Sequence, residues 1–204
     1  MAGNPIYLAS QSPRRRELLK QIGIPFEVLM LRSDPRRGID VDETPLPDES
    51  PGSYALRVAR EKAAAGMRQM EQRRLPQRLI LSADTTVVLD DRIIGKPENA
   101  DDAHRILACL SGREHRVITV VAAALRGEVD TRMSMSTVWF RTLADTEIRR
   151  YVATGEPMDK AGAYGIQGRA ASFVTRIDGS YSGIVGLPLA ETCELLQRFG
   201  VGIW

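Results

Sequence analysis

Ile6-Tyr7-Leu8, then Ser10-Gln11-Ser12-Pro13-Arg14-Arg15-Arg16, then Glu17-Leu18-Leu19-Lys20-Gln21-Ile22-Gly23 is the stretch on which the fold turns. The short apolar run reads as a strand, the Ser/Pro segment as a loop, and the last part as a helix stopped by glycine. Strand, loop and helix in that order open an α/β fold. The three arginines fall in the first turn of the helix, where the positive end of its dipole disfavours cations. A bound anion resolves the conflict, since free backbone N–H groups, serine hydroxyls and guanidinium forks all suit a phosphate. A solvated basic turn with Ser12 as a simple N-cap is the plainer alternative.

Strand and helix patterns go on alternating. Residues 26–30 read as a strand. Residues 32–50 are polar and proline-rich, a long loop holding Asp40, Asp42 and Glu43. A helix over 53–71 turns Tyr54, Ala55, Val58, Ala59 and Ala63 inward, with Lys62 at the edge of that face. Leu79-Ile80-Leu81 reads as a buried strand ending at Ser82-Ala83-Asp84-Thr85. Val87-Val88-Leu89, Asp90-Asp91 and Ile93-Ile94 read as a hairpin. Asn99 caps a helix that Gly112 ends. Residues 117–125 and 128–140 form a long hairpin turning at Gly127. A helix over 145–153, a strand over 172–177 and a helix opened by Pro188 complete the chain. The expectation is a single domain over residues 1–204, α/β, with a mixed central sheet flanked by helices.

Bulk properties exclude several classes. A chain of 204 residues is long enough for one domain with a substantial core. A net charge of +2 implies no strong field toward nucleic acid or membrane. The longest apolar run, 117–125, is far shorter than the ~20 residues of a bilayer span, and no apolar signal region follows Met1, so a cytoplasmic location is expected. The two cysteines, Cys109 and Cys193, read as buried free thiols. With His104 and His115 as the only histidines, no zinc-ligand spacing exists. Arginine makes up 24 of the 28 basic residues. Lysine is nevertheless retained at Lys62, Lys96 and Lys160, each beside other polar features, and a compact ammonium suits a single phosphate oxygen where a planar fork does not.

Asp84, at the end of a buried strand, stands where ligands bind in open α/β sheets. A carboxylate there can activate water or hold a divalent cation; a turn aspartate bonding its own backbone is the alternative. Gly95-Lys96-Pro97 is a rigid turn presenting one lysine. From Gly155 to Gly168 the chain is densely glycine-rich around Lys160 and Gln167, so backbone and ligand can approach closely. It matches neither the Walker loop nor the dinucleotide fingerprint. A second glycine-rich run, 179–187, leads into the last helix. Neither histidine belongs to an acyl-transfer triad.

Taken in order, Ser10-x-Ser12-Pro13-Arg14-Arg15, Asp42-Glu43, Glu61-Lys62, Ala83-Asp84-Thr85, Gly95-Lys96-Pro97, Ser111-Gly112-x-x-His115, the run from Asp159 to Gly168, and Gly179-Ser180-Tyr181 through Gly186-Leu187-Pro188 resemble the Maf family of nucleoside triphosphate pyrophosphatases almost end to end. Ser82 stands where that family more often has glycine. The Lys160–Gly168 segment is similar to the branch acting on dTTP and UTP rather than on 7-methyl-GTP. The resemblance implies a mixed-sheet fold with two lobes around a cleft, similar to inosine triphosphatases, and cleavage between the α- and β-phosphates. It implies that Asp84 is the proton acceptor and that Arg14, Thr85 and Gln167 set base preference. Lys62, Lys96 and Glu43 match the charged lining of the cleft. Ser12, Arg15 and Lys160 complete the expected substrate contacts. Glu43 and Asp84 are the expected catalytic and metal-holding pair, with Mg²⁺ or Mn²⁺. Gln167 would face the N3–H and carbonyl of uracil or thymine, its orientation fixed by Thr85 or by a backbone group of the Gly165–Gly168 turn. The expected partner is a nucleoside triphosphate, without nucleic acid or membrane, and a homodimer is compatible with the pattern. The alternative function is a non-catalytic nucleotide-binding regulator of cell division using the same cleft.

Overall fold

The computed structural model describes residues 5–32 and 38–203; residues 33–37 of the expected loop and residues 1–4 lie outside the described residues. The strands are β1 (Ile6–Leu8), β2 (Phe26–Val28), β3 (Ile80–Leu89), β4 (Arg92–Ile94), β5 (Glu114–Leu125), β6 (Glu128–Phe140) and β7 (Val174–Asp178). They form one seven-stranded sheet in the order β2-β1-β3-β5-β6-β7, with β4 paired to β3 beside that path. β1 runs parallel to β2 and β3, and every other pairing is antiparallel. The helices are α1 (Pro13–Gln21), α2 (Pro51–Gln72), α3 (Ala100–Leu110), α4 (Asp145–Val152), α5 (Tyr181–Val185) and α6 (Leu189–Arg198).

The two-residue period of the strands sorts the core onto two faces. Ile118, Val120, Ala122 and Ala124 of β5 pack with Ala55, Ala59 and Ala63 of α2. Val117, Val121 and Ala123 face the other way, with Leu107 and Leu110 of α3 and Leu195 and Leu196 of α6. Each such leucine or valine, fully buried, contributes about 1.5–3 kcal/mol. α2 starts where Ser50 accepts the N–H of Ser53 through its hydroxyl, with Pro51 in the first turn.

β3 departs from the sequence reading. It does not end at Asp84 but pairs with β5 at every position from Ile80 to Val88. Ser82, Asp84, Thr85 and Thr86 look like a turn in sequence, and they tolerate a strand interior because their side chains find partners there. Ser82 donates its hydroxyl to the Ala59 carbonyl at 2.8 Å, tying β3 to α2. The Thr86 hydroxyl donates to Asp84 Oδ2 at 3.2 Å. The Asp90-Asp91 turn is as expected, with both residues at positive φ (49° and 60°), the twist of a two-residue hairpin. Neither cysteine is fully buried. Cys109 is exposed and Cys193 partly so, because Leu107 and Leu110 occupy the inward stripe of α3.

His115 lies inside an aromatic cluster, edge-on to Phe140 and Tyr164, its Nε2 2.8 Å from the Tyr164 hydroxyl. Burial pushes its pKa down to about 4. Below pH 6.5 the unfolded chain therefore takes up a proton that the folded chain refuses, so stability rises with pH through this window and is complete above it. We expect a loss of about 2 kcal/mol between pH 8 and pH 5. The depressed carboxylates Glu49 and Glu147, at about 2, lose their contribution only at lower pH. Urea titrations of wild type and His115→Phe check this: the slope between pH 8 and pH 5 is absent from the variant, and an identical slope would refute the assignment.

Candidate active site

β3 has β5 along the whole of one edge. Along the other, β1 is registered only as far as Leu81 and β4 only from Val87. Residues 82–86 thus face no strand on that edge among the described residues. Successive strand residues point to opposite faces, so Asp84 lies on the α2 side and Thr85 on the other. The open edge lets both approach the same space.

A cleft of about 980 Å³ opens there, at the upper end of the roughly 300–1,000 Å³ of small-molecule sites. Ser12, Arg14 and Arg15 line it from the start of α1, Lys62 from α2, Thr85 from β3, and Lys96, Lys160 and Gln167 from the loops. Glu43 lines it from the segment before α2. Asp84 stands behind this lining, 6% exposed. Its Oδ1 accepts the Lys62 ammonium at 2.8 Å, and the same ammonium lies 2.9 Å from Glu43 Oε1. One lysine therefore joins a buried carboxylate to a half-exposed one at the mouth of the cleft.

The position of Glu43 is built by residues that sequence reading passed over. Tyr54 of α2 donates its hydroxyl to the Glu43 carbonyl at 2.9 Å. Arg57 donates to the carbonyls of Asp42 and Thr44, at 3.2 and 3.0 Å, and forks onto Glu49 at 2.8 and 2.9 Å. Arg57 in turn holds the Glu49 carboxyl down at about 2. In sequence Tyr54 reads only as a core position, and nothing there singles out Arg57.

Arg15 has neutral partners. Its Nε donates to the Gly186 carbonyl at 2.7 Å, and its two terminal nitrogens donate to Ser10 Oγ at 3.0 Å and Thr85 Oγ1 at 3.2 Å. Desolvation lowers its pKa from the ordinary arginine value, against the opposing pull of Asp84 and Glu43. Thr85 is further tied to Thr119, 3.0 Å away, and Thr119 donates to the Gly183 carbonyl at 2.8 Å. Ser12 caps α1 by accepting the Arg15 N–H at 3.4 Å. Its capping role is thus real and compatible with a place in the cleft. Arg14 lies 3.8 Å from Asp159, which also pairs with Lys160. Among the described residues no three His, Cys, Asp or Glu side chains converge as a metal cage. Glu43 and Asp84 each bring one carboxylate oxygen to the Lys62 ammonium.

A family profile described as Maf-like protein matches residues 5–199. The chain belongs to the Maf family. Curated relatives run nearly end to end with this Maf-like chain. A Nitrosomonas europaea protein named dTTP/UTP pyrophosphatase is 54% identical over 100% of this chain and 98% of its own. An Aromatoleum aromaticum protein of the same name is 59% identical over 96% and 95%, and one from Dechloromonas aromatica 55% over 96% and 97%. Among solved structures, the Staphylococcus aureus Ham1 protein superposes over 96% of this Maf-like chain and 97% of its own at a TM-score of 0.49 and 14% identity, a distance from which nothing about chemistry follows. No helix of the described residues is long and apolar enough to cross a membrane.

Proposed function

We propose that this Maf-like chain hydrolyses dTTP and UTP to the nucleoside monophosphate and pyrophosphate. The observation that supports it best is the charge of the cleft: six cationic side chains (Arg14, Arg15, Arg32, Lys62, Lys96, Lys160) against three carboxylates (Glu43, Glu156, Asp159) around the Lys62–Asp84 pair. A triphosphate is the dense anion such a lining neutralises. The names of the close relatives supply the two nucleotides.

In this reading Asp84 takes a proton from water, whose oxygen attacks the α-phosphorus. The bond from that phosphorus to the α,β-bridging oxygen breaks, and pyrophosphate leaves with the electron pair. Lys62 fixes the direction of the Asp84 carboxylate. Arg15 and Lys96 offset the charge that grows on the leaving group, the main contribution a protein makes to such transfers. Arg15 suits this task because its partners are neutral and its charge is not already cancelled by a contacting carboxylate. Glu43 and Asp84 would hold a divalent cation, Mg²⁺ or Mn²⁺, together with phosphate oxygens. One or two carboxylates plus substrate phosphates is the usual set for such a hard ion. When bound, it supplies further neutralisation of the triphosphate. The proposed setting is the cytoplasm, with its nucleotide pool.

Incubating the purified protein with a panel of nucleoside triphosphates and identifying the products tests the reading. Pyrophosphate and monophosphate from dTTP and UTP are expected. Orthophosphate and a diphosphate would overturn the cleavage position. Tight binding without any product would favour the regulator. Exhaustive chelation is expected to reduce turnover to background, and added Mg²⁺ or Mn²⁺ to restore it; full activity in chelator would remove the cation from the scheme.

A further inference from the structure

Gln167, the residue that the Maf resemblance assigns to the base, makes no side-chain hydrogen bond among the described residues. Thr85 does not orient it, being bonded to Arg15 and Thr119. The turn that presents Gln167 is instead clasped by one carboxylate. Gly168 donates its N–H to the Gly165 carbonyl at 2.9 Å, closing the turn. Glu156 Oε2 accepts the N–H of Arg169 at 3.2 Å, and Glu156 Oε1 accepts the Tyr151 hydroxyl at 3.0 Å. That hydroxyl oxygen accepts the Gly165 N–H at 3.2 Å. Both ends of the turn thus lead to Glu156. The packing is as close as the bonding: a Cβ on Gly168 would lie 2.1 Å from Glu156 Oε1 and 2.5 Å from its Cδ. Only glycine admits the carboxylate there. The Glu156 carbonyl also takes the Lys160 ammonium at 2.6 Å, so one residue anchors two parts of the cleft lining.

We propose that Glu156 is the positioning residue of base recognition, its carboxylate fixing the Gly165–Gly168 turn and through it the direction of the Gln167 amide. The proposal rests on the reading of Gln167 as the base contact. A purely architectural carboxylate would affect all substrates alike; a positioning one affects the ratio between them.

The test compares kcat/KM for UTP and dTTP with that for ATP and GTP in Glu156→Gln, Gln167→Ala and the double variant, with melting curves for each. Glu156→Gln keeps the shape, but its NH₂ group must face either the Tyr151 hydroxyl or the Arg169 N–H. Each single variant is expected to lower the pyrimidine-to-purine ratio on the order of tenfold, the scale of one polar base contact. The double variant is expected to do no worse than Gln167→Ala, because coupled residues do not add. Equal slowing of all four nucleotides by Glu156→Gln, an unchanged ratio, or additive losses would each overturn the proposal. An unchanged ratio in Gln167→Ala would remove the base reading and this proposal with it, whereas a changed ratio there beside an unchanged one in Glu156→Gln removes only Glu156. Should Glu156→Gln fail to fold, Tyr151→Phe, which cuts the link to Gly165, carries the test: a ratio lowered several-fold supports the proposal and an unaltered one overturns it.

Discussion

Asp84→Asn is expected to lower kcat on dTTP and UTP by about 10²–10⁴-fold, the contribution of a positioned general base, while the melting curve stays close to wild type. The geometry separates these effects. The amide oxygen can still accept Lys62, where Asp84 Oδ1 now lies at 2.8 Å. The amide nitrogen can donate to Thr86, whose hydroxyl now donates to Oδ2 at 3.2 Å. Lys62 keeps Glu43 as a counter-charge at 2.9 Å. Every polar group remains paired, so the fold loses little, while the carboxylate charge that takes the proton and would help hold the cation is removed. Steady-state kinetics alongside calorimetry check it. Near-normal turnover from a protein that melts normally would end the catalytic role of Asp84.

The largest expected effect on stability is at Gly179. Its φ of +111° is a backbone conformation that side chains resist. A Cβ there would sit 2.7 Å from Ser136 Oγ and 2.9 Å from the Met135 carbonyl oxygen. The carbonyl is fixed in the sheet and cannot give way. Ser136 Oγ also accepts the Ser180 N–H at 2.9 Å, and Ser180 Oγ accepts the Gly183 N–H at 3.0 Å to start α5. Gly179→Ala therefore combines backbone strain with the displacement of a partly buried hydrogen bond, and a loss of about 2–5 kcal/mol is expected. The effect reaches the cleft as well, since the Gly186 carbonyl that ends α5 holds Arg15 at 2.7 Å. Below its melting point the variant is expected to bind dTTP more weakly than wild type. Urea denaturation and substrate titration measure both; a stability loss under about 1 kcal/mol would show that the turn relaxes freely.

Much of this architecture was legible because its signals are local. The strand–loop–helix around Ser12, the alanine face of α2, the Asp90-Asp91 turn and the cap at Asn99 each depend on residues within one turn of one another. The basic positions of the cleft are legible because arginines crowded into a helix's first turn, and lysines kept in an arginine-rich chain, stand out. The length of β3 is not legible because its polar residues carry the signal of a turn, and what keeps Ser82 and Asp84 in a strand is α2, which supplies Ala59 and Lys62 from about twenty positions away. α5 is not legible because five residues with one glycine inside and another at the C-terminal cap carry no helical period. Tyr54, Arg57 and Glu156 were invisible as site residues for the same reason. Their work is to hold backbone carbonyls and N–H groups of other segments, which no side-chain pattern reports.

The interrupted edge of β3 has one further consequence. A strand with an unpaired edge is a template on which another chain can add. Here the unpaired interval runs only from Ser82 to Thr86, because β1 and β4 close it at either end. Arg15 and Lys62 flank it as partly buried charges that an incoming strand would have to strip of their partners. The residues that make the gap receptive to a small anion therefore also make it hostile to a neighbouring polypeptide. The same side chains repel a pairing strand and attract the substrate, and neutralising Lys62 or Arg15 relaxes both at once.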